Sequence, residues 1–206
     1  MRILIGYCLF FLLLALMSCQ TKEDTPPISP VPVIAFKGLT KHTSLPFGPQ
    51  NNLVNDSVNL VIDYQDGDGD LGYTSEEVDN LVNQYGAGGV DDRRIYNYYL
   101  ELEKKVNGVF RPVLYPTPGI TFWGIFPRVE LANAAYNYPN SPYPFRIRTF
   151  PPHRGEITYR FRIEAPIDQS PGYAQVGDTL RAHVQIADRA LNVSNTIQTP
   201  EFIYAK

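Results

Sequence analysis

From residue 56 the chain alternates. Val58, Leu60, Ile62 and Tyr64 fall on one side, and Asn59, Asp63 and Gln65 on the other, with Val61 the exception. A period of two over this length predicts a half-buried strand over 56–65. The pattern returns over 95–106 with Tyr96, Tyr98, Leu100 and Leu102 on one face. It returns over 156–164 with Ile157, Tyr159, Phe161 and Ile163 set against Thr158, Arg160 and Arg162. It returns again over 179–187 with Leu180, Ala182, Val184 and Ile186, and a last strand is predicted from about 195 to 204. Asn107-Gly108 precedes the short run 109–113. Asn-Gly between two strand-like runs predicts a tight hairpin, because both central residues need positive φ.

Helical spacing is rare. Ser75 to Tyr85 predicts one short helix, with Ser75 as cap, Val78, Leu81 and Val82 toward the core, and Gly86-Ala87-Gly88-Gly89 as its end. Short antiparallel strands separated by turn signals predict an all-β fold, an immunoglobulin-like antiparallel β-sandwich of the kind shared with fibronectin type III domains. Two stretches exceed a minimal sandwich, about 71–94 and 114–154, and both read as loop insertions. The domain itself is expected over 33–206.

The N-terminus follows a different rule. Arg2 precedes an apolar run from Ile3 to Met17, shorter than the roughly 20 residues that span a bilayer. A charged start, an apolar middle and a small residue before a cut describe a secretory signal. Leu16-Met17-Ser18-Cys19 resembles the lipobox of bacterial lipoproteins. The resemblance implies that residues 1–18 are removed and that Cys19 becomes a lipidated N-terminus, anchored by its acyl chains. Residues 19–32 then form a Pro-rich extended tether. Within it, Lys22-Glu23-Asp24 resembles the signal that follows the cysteine in surface-exposed lipoproteins of Bacteroidota. That likeness implies the outer membrane, facing outward.

Composition narrows the function. Removing Arg2 from 18 basic and 21 acidic side chains leaves 17 against 21, a mildly acidic chain without a basic cluster, so nucleic acid is not an expected partner. The two cysteines are Cys8, in the apolar run, and Cys19, so the domain has no thiol for a disulfide, a zinc–thiolate site or a nucleophile. Tyr 14 and Phe 11 against Met 2 favour strands over helix bundles. His42, His153 and His183 form no HExxH pair and no Ser-His-Asp order, and no glycine-rich phosphate loop opens a helix. The chain therefore reads as non-enzymatic.

One loop carries candidate chemistry. Asp66, Asp68 and Asp70 alternate with glycines directly after the first predicted strand. Carboxylates this close repel one another unless a cation joins them, and calcium takes six to eight oxygens at about 2.3–2.6 Å. Counted from Asp66 as the first position of an EF-hand-like loop, Glu77 falls at the twelfth, where a bidentate carboxylate belongs. Leu71 stands where that loop needs glycine, and a strand precedes it, so the loop is not an EF-hand. A second completion comes from the sandwich: the turn between the last two strands lies at the same end and brings Asp188 or Asn192 toward the loop. For these two, shaping their own turn is the leading role.

Gly177-Asp178-Thr179-Leu180 and the run Ile186-Ala187-Asp188-Arg189-Ala190-Leu191-Asn192-Val193-Ser194-Asn195 resemble the terminal hairpin of bacterial Ig-like domains. With Asp66 to Gly72 they are similar to a group of Bacteroidota surface lipoproteins. The likeness covers about 55–75 and 156–204 and implies a fold and a location, but no activity. The expected role is a membrane-anchored scaffold or adhesion module with a structural calcium loop and a surface protein as its partner. The alternative is a glycan-binding lipoprotein of a polysaccharide-uptake system, using Tyr136, Tyr138 and Tyr143 in a Pro-rich stretch. Phe122, Trp123 and Phe126 are read as core.

Overall fold

The computed structural model describes residues 28–44, 54–85, 93–114, 122–128, 145–150, 154–164 and 172–205. Among the described residues nine strands, all paired antiparallel, make two sheets. β1 (Val33–Ser44), β2 (Asn55–Gln65), β6 (Arg154–Glu164) and β5 (Phe145–Phe150) form one, in the order β1-β2-β6-β5. β4 (Val109–Pro112), β3 (Tyr98–Val106), β7 (Thr179–Ile186) and β8 (Ile197–Gln198) form the other, and β9 (Phe202–Ile203) also pairs β7. This is the strand order of an immunoglobulin-like sandwich: the first, second, fifth and sixth strands share one sheet, and the chain crosses to the other for the rest.

Alternation makes the core. Val58, Leu60, Ile62 and Tyr64 of β2 and Ile157, Tyr159, Phe161 and Ile163 of β6 are buried. So are Tyr98, Leu100 and Leu102 of β3 and Leu180, Ala182, Val184 and Ile186 of β7. The two layers meet where the rings of Tyr98 and Tyr159 lie 4.7 Å apart. Burying such side chains is worth about 1.5–3 kcal/mol each, which is why the period of two dictates the fold. The Asn107-Gly108 turn adopts positive φ at both residues, 52° and 81°, and closes β3 onto β4 as expected.

Four elements differ from the sequence reading. β1 was not expected. It is an edge strand with one fully buried apolar residue, Ile34, and a bulge between Phe36 and Gly38 that breaks its alternation. β5 lies inside the stretch read as a loop insertion, and its register pairs Ile147 with Ile157. The last strand is split: Thr199-Pro200 interrupts it, since proline offers no N–H to the ladder. Finally, β3 starts at Tyr98, because residues 93–95 form a 3-10 turn and the buried Asn97 side chain bonds both backbone groups of Phe126.

The helix α1 (Ser75–Tyr85) has the expected limits, but no residue of it is buried and Val82 is exposed. Its cap is Thr74. The Thr74 hydroxyl accepts the Glu77 N–H at 3.1 Å while the Glu77 carboxylate accepts the Thr74 N–H at 2.7 Å. That reciprocal pair is a capping box. Phe126 is core, whereas Phe122 and Trp123 are half-buried. Trp123 packs edge-on against Tyr96 and Tyr99, with the Arg93 guanidinium over Tyr99 and the indole.

Candidate metal centre

The acidic loop leaves β2 and turns at once. Gly69 and Gly72 both have positive φ, the region that glycine enters without penalty. Leu71, buried, pairs in an antiparallel bridge with Asp188, and Tyr73 exchanges backbone bonds with Phe126 and Arg128. The loop is therefore pinned on both sides. In the opposing turn, 187–193, Asp188 shapes the turn as expected by accepting a backbone N–H, that of Asn192 at 2.7 Å, and its other oxygen accepts the Asn192 side-chain amide at 2.8 Å. The residue in the left-handed conformation is Leu191, at φ 65°, in place of Asn192.

This geometry brings three carboxylates together. One oxygen each of Asp66, Asp70 and Asp188 lie within 4.8 Å of one another. Asp66 and Asp188 are buried, Asp70 half-buried and Asp68 exposed at the rim. Asp66 is the anomaly: it is 1% exposed, and neither of its oxygens has a hydrogen-bond donor. Asp70 Oδ1 and the Tyr73 hydroxyl, both buried, likewise have none. Two like charges at such a distance repel by roughly 3 kcal/mol even at an effective dielectric of about 20.

The charge must go somewhere. Burial, and then the charges of Asp68, Asp70 and Asp188, push Asp66 up to about 7. Burial, followed by Asp188 and Asp68, pushes Asp70 up to about 6 against the pull of Arg189. Tyr73 is pushed up to about 12, by burial first and then by nearby charges that include Asp188 and Asp70. Arg189 reaches the loop with its Nε on the Asp70 carbonyl at 3.1 Å and one guanidinium nitrogen on Glu77 at 3.2 Å. Its charge is thus shared with a carboxylate outside the group.

Glu77, expected as a ligand, stands apart. One of its oxygens caps α1 and the other pairs with Arg189. Burial opposes its charged form, but the Thr74 N–H and Arg189 outweigh that and hold it below the ordinary range. Its place at the twelfth position reflects the capping box and the length of the turn before the helix. Of the five expected ligands, then, the structure gathers Asp66, Asp70 and Asp188, sets Asp68 beside them and gives Glu77 another task. Arg189 and Tyr73 are the neighbours that sequence reasoning missed. Arg189 adjoins Asp188 in a turn already expected at this end, which is the one signal that pointed to it. Cys19, Tyr136, Tyr138 and Tyr143 lie outside the described residues.

The spacing of the three carboxylates is compatible with a shared hard cation. Oxygens bound to one ion at about 2.3–2.6 Å are at most about twice that distance apart, and the 4.8 Å spread meets this limit. No protein-family model, curated protein or solved structure matched the chain in comparison.

Proposed function

We propose that this chain is a non-enzymatic extracytoplasmic module, held at a membrane by lipid on Cys19, whose tether-side loops are stapled by calcium on Asp66, Asp70 and Asp188. Asp68 supplies a further carboxylate from the rim. The observation that carries the cation reading is the side chain of Asp66, buried with two donorless oxygens beside two more carboxylates. A buried carboxylate without a donor is costly unless a proton or a cation neutralises it, and calcium accepts carboxylate, carbonyl and water oxygens in flexible geometry. The staple would join the loop after β2 to the turn after β7, and so tie one sheet to the other at this end. A rigid end suits a scaffold or adhesion module. The anchor rests on the resemblance of Leu16-Met17-Ser18-Cys19 to a lipobox. Among the described residues no helix is long and apolar enough to cross a membrane.

Thermal unfolding in EDTA and in calcium tests the staple. A rise that saturates is expected, reaching about 2.7 kcal/mol of stabilisation at a free calcium concentration one hundred times Kd. Changing Asp68 and Asp70 to Ala should abolish it. An unchanged midpoint at millimolar calcium would remove the cation from the account. Attachment is read separately: Cys19→Ser should move the chain from the membrane to the soluble fraction, and its retention there would overturn the anchor.

A further inference from the structure

The chain enters the domain against the acidic loop. Gly67, between Asp66 and Asp68, donates its N–H to the Ser29 carbonyl at 2.8 Å. The approach is so close that a Cβ on Gly67 would run into the carbonyl oxygens of Ile28 and Ser29. A few residues on, Asn195 holds Ile34 twice. Its side-chain oxygen accepts the Ile34 N–H at 2.9 Å and its amide donates to the Ile34 carbonyl at 2.9 Å. Asn195 closes the same turn that carries Asp188. Val33 and Ile34 already belong to β1 and pair with Gln65 and Tyr64. The attachment of the chain before β1 is therefore the Gly67 bond, with Asn195 bracing the start of the strand's ladder.

We infer that cation binding at Asp66, Asp70 and Asp188 locks residues 28–32, the chain just before β1, onto the domain and releases them when the cation leaves. The inference rests on the calcium reading and adds what the site controls: the stiffness of the joint between domain and tether. The reason is mechanical. Without a cation the carboxylates repel, and relief comes from splaying the 66–70 loop, which carries the Gly67 N–H away from Ser29. With a cation the loop and the 188–195 turn are drawn together, and the Gly67 bond and the Asn195 brace are set at once. That Asp66 is buried with donorless oxygens is what gives the loop a reason to move. Coupling of this kind is reciprocal: whatever factor the cation adds to docking, docking adds to cation affinity.

The test uses the full lipidated chain in detergent, with calcium as the probe. Hydrogen exchange of the 28–32 segment and of the Gly67 N–H is measured in EDTA and in calcium, beside calorimetry of calcium binding. Calcium should slow exchange of that segment on the order of tenfold, within the usual range of coupling between two sites. Gly67→Ala keeps every carboxylate, and no positive φ stands in its way, so its effect is the collision with Ile28 and Ser29. It should retain calcium binding, weaken it by the same factor and lose the calcium-dependent protection. Asn195→Ala, which removes only the bonds to Ile34, is the second variant should Gly67→Ala fail to fold. Calcium binding with unchanged exchange of 28–32 and Gly67 would overturn the inference and leave the staple standing. No calorimetric binding to the parent chain would sink both, and calorimetry tells the two failures apart.

Discussion

β2 carries a buried aspartate at each end, and the two are solved in opposite ways. Asp56, fully buried, accepts Lys41 Nζ at 3.1 Å, the Thr43 hydroxyl at 2.5 Å and the Ala205 N–H at 2.7 Å. It ties the edge strand and the C-terminus to the sheet, beside Tyr204, whose hydroxyl donates to the Val54 carbonyl. Asp66, just past the other end, is equally buried and has no donor at all. One aspartate is a closed internal ion pair. The other is charge gathered without a protein counterpart. The same side chain at the two ends of one strand thus marks a finished joint at one pole and unanswered charge at the other.

Substitution at the two positions should give opposite signs. Asp56→Ala leaves Lys41 without its carboxylate and is expected to cost roughly 3 kcal/mol, in calcium and in EDTA alike, by denaturant unfolding. Asp66→Asn should do the reverse in EDTA. It removes a repelling charge, and the new amide would donate to the neighbouring carboxylates, for a gain of roughly 2 kcal/mol. If Asp66→Asn destabilises the cation-free chain as Asp56→Ala does, the contrast between the poles collapses.

Acidity sharpens the contrast further. Asp66, at about 7 in the fold against an ordinary 3.8, holds a proton in the cation-free fold that the unfolded chain has lost. Cation-free stability should therefore fall as pH rises from about 4 to about 7, because the folded state binds more protons across that window. Calcium competes with those protons. The midpoint difference between calcium and EDTA should be small at pH 5 and grow toward pH 8, with Asp70, raised to about 6 against the pull of Arg189, adding to the effect. A pH-independent difference would mean that no proton is displaced. The smallest effect concerns Glu77. Glu77→Gln weakens the cap and the Arg189 pair, costing about 0.5–1 kcal/mol, and leaves the calcium response intact. Loss of that response would return Glu77 to the ligands.

The sequence displayed the inner strands because each keeps its parity from end to end. β2, β6 and β7 bury every second residue without a break. β1 keeps no such parity. Before the bulge Ile34 and Phe36 pair with Tyr64 and Ile62, and after it Leu39 and Lys41 pair with Leu60 and Val58. The inward set changes from even to odd numbers at Lys37 and Gly38, and a lysine then occupies an inward place. No periodic reading survives that. The carboxylate cluster was legible in part. Alternating Asp and Gly after a strand fixed the loop, and the sandwich topology supplied Asp188. Glu77 misled because a capping box and a loop ligand call for the same residue type at nearby spacing. Leu191 at positive φ was not legible, since leucine carries no preference for that conformation.

The bulge in β1 has a second effect, on the company the molecule keeps. A flat edge strand is an open template on which another chain can extend the sheet. Here the ladder between Phe36 and Gly38 is out of step. Lys37 projects into solvent beside it, held by Asp63 and Glu156 at 2.9 and 2.7 Å. An incoming strand would meet a misaligned row of donors and a fixed charge. The irregularity that hides β1 from a sequence reader also makes it a poor seed for fibrils.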